Sequence, residues 1–164
     1  MKTMSHSMTD TKEMIIMMIL MFIAGLLSSM NMWVDKISDW RFHINDIYMS
    51  LLMCGWSLLL MGIYYININY TIIGIIIVAI LIYCIRNQIF IDETQYIKGM
   101  IPHHSMAVLM SKKLLEKTHN INDINNINII NEIKKLTNNI INTQENEIKL
   151  MKLLLNYKKK NKNT

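Results

Sequence analysis

Cysteine and charge are both scarce in this chain, and each shortage excludes a class of protein. Only Cys54 and Cys84 occur among the 164 residues, far apart in sequence, so neither a disulfide framework nor a Cys-x-x-Cys site is indicated. Charged residues make up 18% of the chain and hydrophobic residues 52%. Much of the chain is therefore too apolar to form water-exposed protein surface. The two cysteines are interpreted as small apolar residues that fill space in the packing.

Motifs for nucleophilic catalysis and for nucleic-acid binding are also missing. No Ser, Cys or Gly-rich nucleophile motif is present, and no small-molecule substrate is evident. The net charge of +5 arises after residue 91, and four of the lysines lie in the Asn-rich tail 158–164. A solvated chain end is the favoured interpretation of that tail, with a contact to anionic lipid as the alternative. No nucleic-acid partner is predicted, because no binding motif accompanies the lysines.

Two long runs without charge predict a multi-pass protein of the lipid bilayer. Residues 14–34 form the first run and residues 47–85 the second, and a helix needs about 20 residues to cross a bilayer. Asn67-Ile68-Asn69-Tyr70 is the expected turn within the second run. A cleaved signal peptide is the rival interpretation of the first run, but no Ala-x-Ala site follows it. The predicted spans are about 14–32, 47–66 and 70–85.

Three spans place the chain after Arg86 on the same side of the bilayer as the loop between the first two spans. Four basic residues near the span ends on that side, against two on the other, favour a cytoplasmic C-terminal region. The predicted organisation is a Met/His-containing tail (1–13), a three-helix transmembrane region (14–86), a helical hairpin (92–157) and a basic disordered tail (158–164).

The segment after the spans predicts two helices, at about 92–117 and 128–157, separated by an Asn-rich break. The predicted fold class is therefore all-α. Helical periodicity assigns one packed face to each helix, and each face contains chemically active side chains. The predicted faces are Glu93, Tyr96, Met100, His103, His104, Ala107, Met110, Ser111 and Leu114 on the first helix, and Ile133, Leu136, Ile140, Gln144, Glu147, Met151 and Leu154 on the second.

In an antiparallel hairpin these faces meet, which predicts one shared polar pocket. Two adjacent imidazoles, a carboxylate and several sulfurs at one place favour a metal site. Imidazole together with thioether favours copper, Cu(I) in particular, with zinc as the second choice. A buried hydrogen-bond network around the imidazoles is the alternative. The pocket would combine Met100, His103 and His104 with Gln144, Glu147 and Met151.

A second candidate for copper capture lies ahead of the first span. Met4, His6 and Met8 alternate with small polar residues, so neither burial nor packing explains them. Flexible Met and His of this kind can capture Cu(I), and a disordered terminus is the alternative. The methionines inside the spans are interpreted as packing filler.

The two sets of donors occur in recognisable motifs. Met-Ile-Pro-His-His-x-x-Ala-x-x-Met at 100–110, followed by Gln-x-x-Glu-Ile-x-x-Met at 144–151, resembles the family of domains of unknown function numbered 305. The resemblance covers about residues 92–155 and implies a ferritin-like helical bundle, associated in some members with copper binding and copper tolerance. Some bacterial members similarly carry three membrane helices ahead of one motif pair. The family pattern marks His103, His104, Met110, Gln144, Glu147 and Met151.

The chain departs from the family pattern in two ways. Many soluble members have two motif pairs that form a complete four-helix bundle, whereas this chain has one. We therefore expect three N-terminal transmembrane helices followed by half of a ferritin-like bundle. A homodimer would complete it, or the hairpin would dock onto the membrane helices. Other members often have an acidic residue near Leu109, and its absence argues against a carboxylate-rich site.

The predicted function is copper sequestration or tolerance rather than catalysis. A di-metal oxidase of the ferritin-like type would need several inward Glu residues and Glu-x-x-His repeats on separate helices, and this chain offers one such repeat, Glu116 to His119. A membrane scaffold that binds no metal is the remaining alternative.

Overall fold

The structure is a computed structural model that describes residues 11–118 and 127–161. Within these residues the secondary structure is entirely helical, which confirms the all-α prediction. The α-helices are α1 (Thr11–Leu27), α2 (Ile44–Tyr64), α3 (Ile68–Arg86), α4 (Glu93–Thr118) and α5 (Ile127–Asn161), and short 3-10 helices lie at Met30–Trp33 and Ile37–Asp39.

Three N-terminal segments are long and apolar enough to cross a membrane, as the uncharged runs predicted. They are Lys12–Trp33, Ile44–Tyr64 and Ile68–Arg86. In water these helices would expose rows of isoleucine, leucine and methionine, which is the pattern of helices that face lipid.

The turn between α2 and α3 lies at the predicted asparagines. Asn67 caps α3, because its side-chain oxygen accepts hydrogen bonds from the N–H groups of Asn69 and Tyr70 at 3.1 and 3.3 Å. Ile66 has a φ of 53°, a left-handed conformation that is unfavourable for a β-branched residue. The Asn67 N–H donates to the Gly62 carbonyl at 2.8 Å, and this bond together with the cap holds the turn.

The chain forms two compact units, and the described residues of the first are 11–29 and 44–91. In this unit α2 and α3 touch through glycines. A Cβ added at Gly62 would lie 2.5 Å from the Thr71 nitrogen, and one added at Gly74 would lie 2.6 Å from the Leu59 nitrogen. Small residues that let helix backbones approach closely are typical of helix packing in membranes.

The second unit comprises Met30–His43 and the chain from Asp92 onward, so it contains the α4–α5 hairpin. The helices are antiparallel, since Glu93 at the start of α4 pairs with Lys158 near the end of α5. A small apolar core lies between them. It consists of Ile101, Val108 and Ile148, with Ile97, Ile141, Met151 and Leu155 packed against it.

Residues 30–43 pack on α4 within this unit, an arrangement that sequence reasoning did not anticipate. The Asp35 N–H donates to the Ser105 hydroxyl at 2.8 Å, and that hydroxyl donates to the Asp39 carboxylate at 2.7 Å. Ser105 is fully buried as a result. Residues 30–43, which form the loop between α1 and α2, therefore cover one side of the hairpin.

The predicted packed faces are wrong by about one residue position on both helices. The buried stripe of α4 contains Ile101, Ser105 and Val108, whereas Tyr96, Met110 and Leu114 from the predicted face are exposed. Leu136, Ile133 and Leu154 are likewise exposed on α5. Ser111 and Met151 of the predicted faces do lie on the buried side of their helices. Each helix therefore carries a second apolar stripe beside its buried one.

The glycine contacts of α2 and α3 give a testable result. We expect Gly62→Ala and Gly74→Ala each to destabilise the protein by about 1–3 kcal/mol, because the new methyl group meets backbone atoms that cannot yield without separating the helices. Gly55→Ala is the matched control, since its Cβ would meet the side-chain methyls of Ile77 and Val78 at 3.0 and 3.1 Å. Thermal unfolding of the detergent-purified chain measures the effect, and equal loss in all three variants would contradict it.

Candidate metal centre

His104 is held between the backbone of its own helix and a carboxylate of the next helix. Its Nδ1 lies 2.9 Å from the Met100 carbonyl oxygen, one turn earlier on α4. Its Nε2 lies 3.2 Å from Oε2 of Glu147 on α5. The prediction that antiparallel packing brings Glu147 to the paired histidines is confirmed for His104.

The hydrogen bond at Nδ1 determines what the other ring nitrogen can do. A carbonyl oxygen only accepts hydrogen bonds, so Nδ1 of His104 carries a proton. Nε2 then either carries a second proton or presents a lone pair to the Glu147 carboxylate. A lone pair facing a carboxylate oxygen is repulsive unless a cation lies between them. An imidazole whose other nitrogen donates to a carbonyl is also the common form of a metal-binding histidine.

His103 is exposed, in contrast to the half-buried His104. The two rings are edge to face with their centroids 5.9 Å apart. Residues next to each other in a helix point about 100° apart, so His103 lies on the open stripe of α4 while His104 lies on the boundary with the buried one. The structure therefore does not place both imidazoles in one buried pocket of this hairpin.

Gln144 precedes Glu147 by one turn of α5, and its side-chain oxygen lacks a hydrogen-bond partner. Its Oε1 is buried and has no hydrogen-bond partner among the described residues. An unpaired buried carbonyl oxygen is unfavourable by about 1–3 kcal/mol, and a bound cation would satisfy it. The predicted role of Gln144 as a donor is consistent with this geometry.

The two methionines of the predicted pocket, and the Met110 that the family pattern marks, lie in different surroundings. Met151 packs against the apolar core, and Met100 is half-buried. Met110 is exposed. Within one chain the structure therefore does not collect the three sulfurs at His104. Met4, His6 and Met8 lie outside the described residues.

The described part of one chain offers too few clustered donors for a closed metal site. Within residues 11–118 and 127–161, no group of three or more His, Cys, Asp and Glu side chains lies close enough to hold a metal ion. His104 and Glu147 form a pair, with the Gln144 oxygen as a further unsatisfied acceptor. These residues fit a metal ion in donor type, but the coordination would have to be completed from elsewhere.

A buried ion pair that sequence reasoning missed holds the loop beside this hairpin. Asp39 is 2% exposed and accepts hydrogen bonds from the Lys152 ammonium and the Ser105 hydroxyl. Burial alone would raise the pKa of Asp39, but the hydrogen bonds from Lys152 and Ser105 and the charge of Lys152 outweigh it, so the pKa lies below its ordinary value. No sequence motif marks these residues.

A second, more exposed charge cluster joins the same three segments. The Lys112 ammonium lies 2.8 Å from Asp35 of the loop and 3.0 Å from Glu145 of α5. The hydrogen bond to Asp35 is the main reason that the pKa of Lys112 is raised, and the hydrogen bond from Lys112 lowers the pKa of Glu145. Both clusters thus fix the loop to α4 and α5 at neutral pH.

Comparisons with known proteins bear on the same region. The family described as "Domain of unknown function (DUF305)" matches residues 93–164. The chain is 43% identical over 155 residues to "Uncharacterized protein L153" of Acanthamoeba polyphaga mimivirus, which covers 92% of this chain and 95% of that protein. No solved structure matches the chain.

The Asp39 ion pair predicts acid sensitivity. A carboxylate whose folded pKa is lowered stabilises the fold above its ordinary pKa of 3.8, and this contribution is lost as the pH falls through the folded value. We expect Asp39→Asn to destabilise the protein by about 2–4 kcal/mol at pH 7, since Lys152 keeps its charge without a partner. It should also reduce the pH dependence of unfolding below pH 4.

Thermal unfolding of the full chain in detergent between pH 7 and pH 3 measures both effects. Glu116→Gln is the control, because Glu116 pairs with Lys113 on the exposed surface, where such a pair contributes about 0–1 kcal/mol. Parallel pH profiles of the wild type and Asp39→Asn would show that the pair has no such role.

Proposed function

Because the chain belongs to the DUF305 family, we propose that it is a membrane-anchored metal-binding protein that sequesters copper, as Cu(I), through the α4–α5 hairpin. The observation that supports this best is the placement of His104. Its Nδ1 is committed to the Met100 carbonyl, and its Nε2 faces the Glu147 carboxylate. That arrangement directs one imidazole nitrogen toward an oxygen donor, which suits a bound cation.

The donor types favour copper. His103 adjoins His104, and Met100 and Met110 lie within two turns of them on α4. Imidazole with thioether selects Cu(I) over harder ions, and zinc, which also binds imidazole and carboxylate, is the second choice. The ion is cargo in this proposal, and these side chains bind and hold it without catalysing a reaction.

The hairpin also has an uncovered apolar side, which we propose is covered by a second copy of the chain. Residues 30–43 cover one side of the hairpin, while Tyr96, Met110 and Leu114 of α4 stay exposed on the other stripe. Leu136 and Leu154 occupy the corresponding stripe of α5, which also contains Glu147. A second hairpin on this side would complete a four-helix bundle.

A second copy would also remedy the shortage of donors. One chain supplies a His104–Glu147 pair and an exposed His103 on the open stripe. Two hairpins that meet on this stripe would bring two such sets into one bundle interior, where the donor number suits a metal ion. The membrane anchor and the homodimer are thus parts of one proposal.

Copper retention tests the metal assignment. The full chain is purified in detergent, loaded with Cu(I) or Zn(II), and washed with a competing chelator before metal analysis. We expect His103→Ala combined with His104→Ala to lower retained copper at least about tenfold, and Glu147→Gln to lower it as well. Glu132→Gln is the matched control, an exposed glutamate near the other end of α5. Circular dichroism verifies that each variant keeps its helical content.

Equal copper content in the wild type and the double histidine variant would overturn the metal assignment and favour a membrane scaffold. Preferential retention of zinc with the same variant dependence would overturn the choice of copper. Oxygen consumption with Fe(II) or Cu(I) would favour a di-metal oxidase instead.

Sedimentation of the detergent-solubilised chain tests the homodimer. We expect a dimer in the wild type and a monomer in Leu136→Glu, because a buried unpaired carboxylate is unfavourable at an apolar interface. Leu153→Glu is the matched control, since Leu153 is 65% exposed against 61% for Leu136 but lies on a different face of α5. A wild-type monomer at all concentrations would mean that this side is not covered by a second copy.

A further inference from the structure

A cavity of about 750 Å³ lies at the end of the hairpin where α4 begins and α5 ends. It belongs entirely to the second unit and contains none of the proposed copper donors. Its walls come from Arg41 of the loop, from the first turns of α4, and from the last three turns of α5. Nothing in the proposed copper function uses this cavity.

The cavity is strongly basic. Its five cationic lining residues are Arg41, Lys98, Lys152, Lys158 and Lys159, against Asp92 as the lining carboxylate. Two of the five are already neutralised, because Lys152 pairs with Asp39 and Lys158 pairs with Glu93 at 2.9 Å. The remaining three cations face one carboxylate, which leaves two positive charges unbalanced.

The unbalanced cations are available to a ligand. Lys98 and Lys159 have no ion-pair partner within the described part of the chain. The Arg41 guanidinium donates from Nη1 to the neutral carbonyls of Ser38 and Trp40, so its charge is also uncompensated. Lysine and arginine groups of this kind bind phosphate through charge-assisted hydrogen bonds.

The residues that line this cavity lie close in sequence to the proposed membrane helices. Arg41 lies three residues before Ile44, where α2 begins, and Asp92 lies six residues after Arg86, where α3 ends. The Lys158–Glu93 pair holds the basic end of α5 to the start of α4.

We propose that this cavity binds the phosphate of an anionic membrane lipid. Lys98, Lys159 and Arg41 bind the headgroup phosphate, and Leu155 supplies an apolar wall beside it. Clusters of lysine and arginine that adjoin a membrane helix in sequence recognise anionic headgroups in this way. The inference rests on the membrane location in the proposed function and is independent of copper.

Lipid retention by the full chain tests the proposal. The protein is purified in mild detergent, equilibrated with mixed micelles of phosphatidylglycerol and phosphatidylcholine, re-isolated, and its bound lipid is measured by mass spectrometry. We expect phosphatidylglycerol to be enriched on the wild type and reduced about tenfold or more in Lys98→Gln combined with Lys159→Gln. Lys117→Gln combined with Lys135→Gln, two exposed lysines outside the cavity, should match the wild type.

Equal phosphatidylglycerol on the wild type and the Lys98/Lys159 variant would overturn the assignment. So would binding of inorganic phosphate that depends on these two lysines without any enrichment of phosphatidylglycerol, since the ligand would then be free phosphate. Alkaline carbonate extraction of host membranes tests the premise separately. Release of the chain from the membranes would overturn the membrane location itself. A chain that stays in the membranes but shows no preference for phosphatidylglycerol would overturn the headgroup site alone.

Discussion

Two antiparallel helices can bury only the faces that they turn toward each other, so any further apolar stripe needs a third surface. In the second unit, residues 30–43 provide that surface on one side of the hairpin, fixed by the buried Asp39 carboxylate with Lys152 and Ser105. None of the described residues covers the opposite side in this way, and its apolar residues are exposed. His104 and Glu147 lie at the border between buried and open stripes, which places the candidate metal site where a second hairpin would meet the first.

Because residues 30–43 belong to the second unit, their packing also bears on how the chain crosses a bilayer. Residues 30–43 and the hairpin can pack together only if they lie on the same side of a bilayer. If α2 and α3 each cross the bilayer, together they return the chain to the side that it left. The packing of residues 30–43 on the hairpin is therefore consistent with α2 and α3 as a pair of spans, independently of the charge counts near the span ends. It also makes the Asp39 pair a link between the hairpin and a loop that lies between two candidate spans.

The sequence predicted the features that depend on local pattern. Uncharged runs longer than about 20 residues located the three apolar helices, Asn67 located the turn, and antiparallel register located Glu147 beside His104. It missed the loop contacts, because Ser105 and Lys152 lie 66 and 113 residues from Asp39 and periodicity within a helix carries no information on distant partners. The predicted packed faces are displaced by about one position because each helix has apolar residues on two neighbouring stripes, and periodicity alone does not distinguish which of them is covered. The stripe that contains Tyr96, Met110 and Leu114 is the exposed one on α4.

X-ray absorption spectroscopy of the copper-loaded full chain tests most directly whether the His104 imidazole and its neighbours hold a copper ion, because imidazole rings give a characteristic multiple-scattering pattern. We expect imidazole scattering with oxygen or sulfur bound to the copper. This imidazole signal should be lost when His103 and His104 are both replaced by alanine. A first shell without imidazole, or an identical spectrum in that variant, would contradict it.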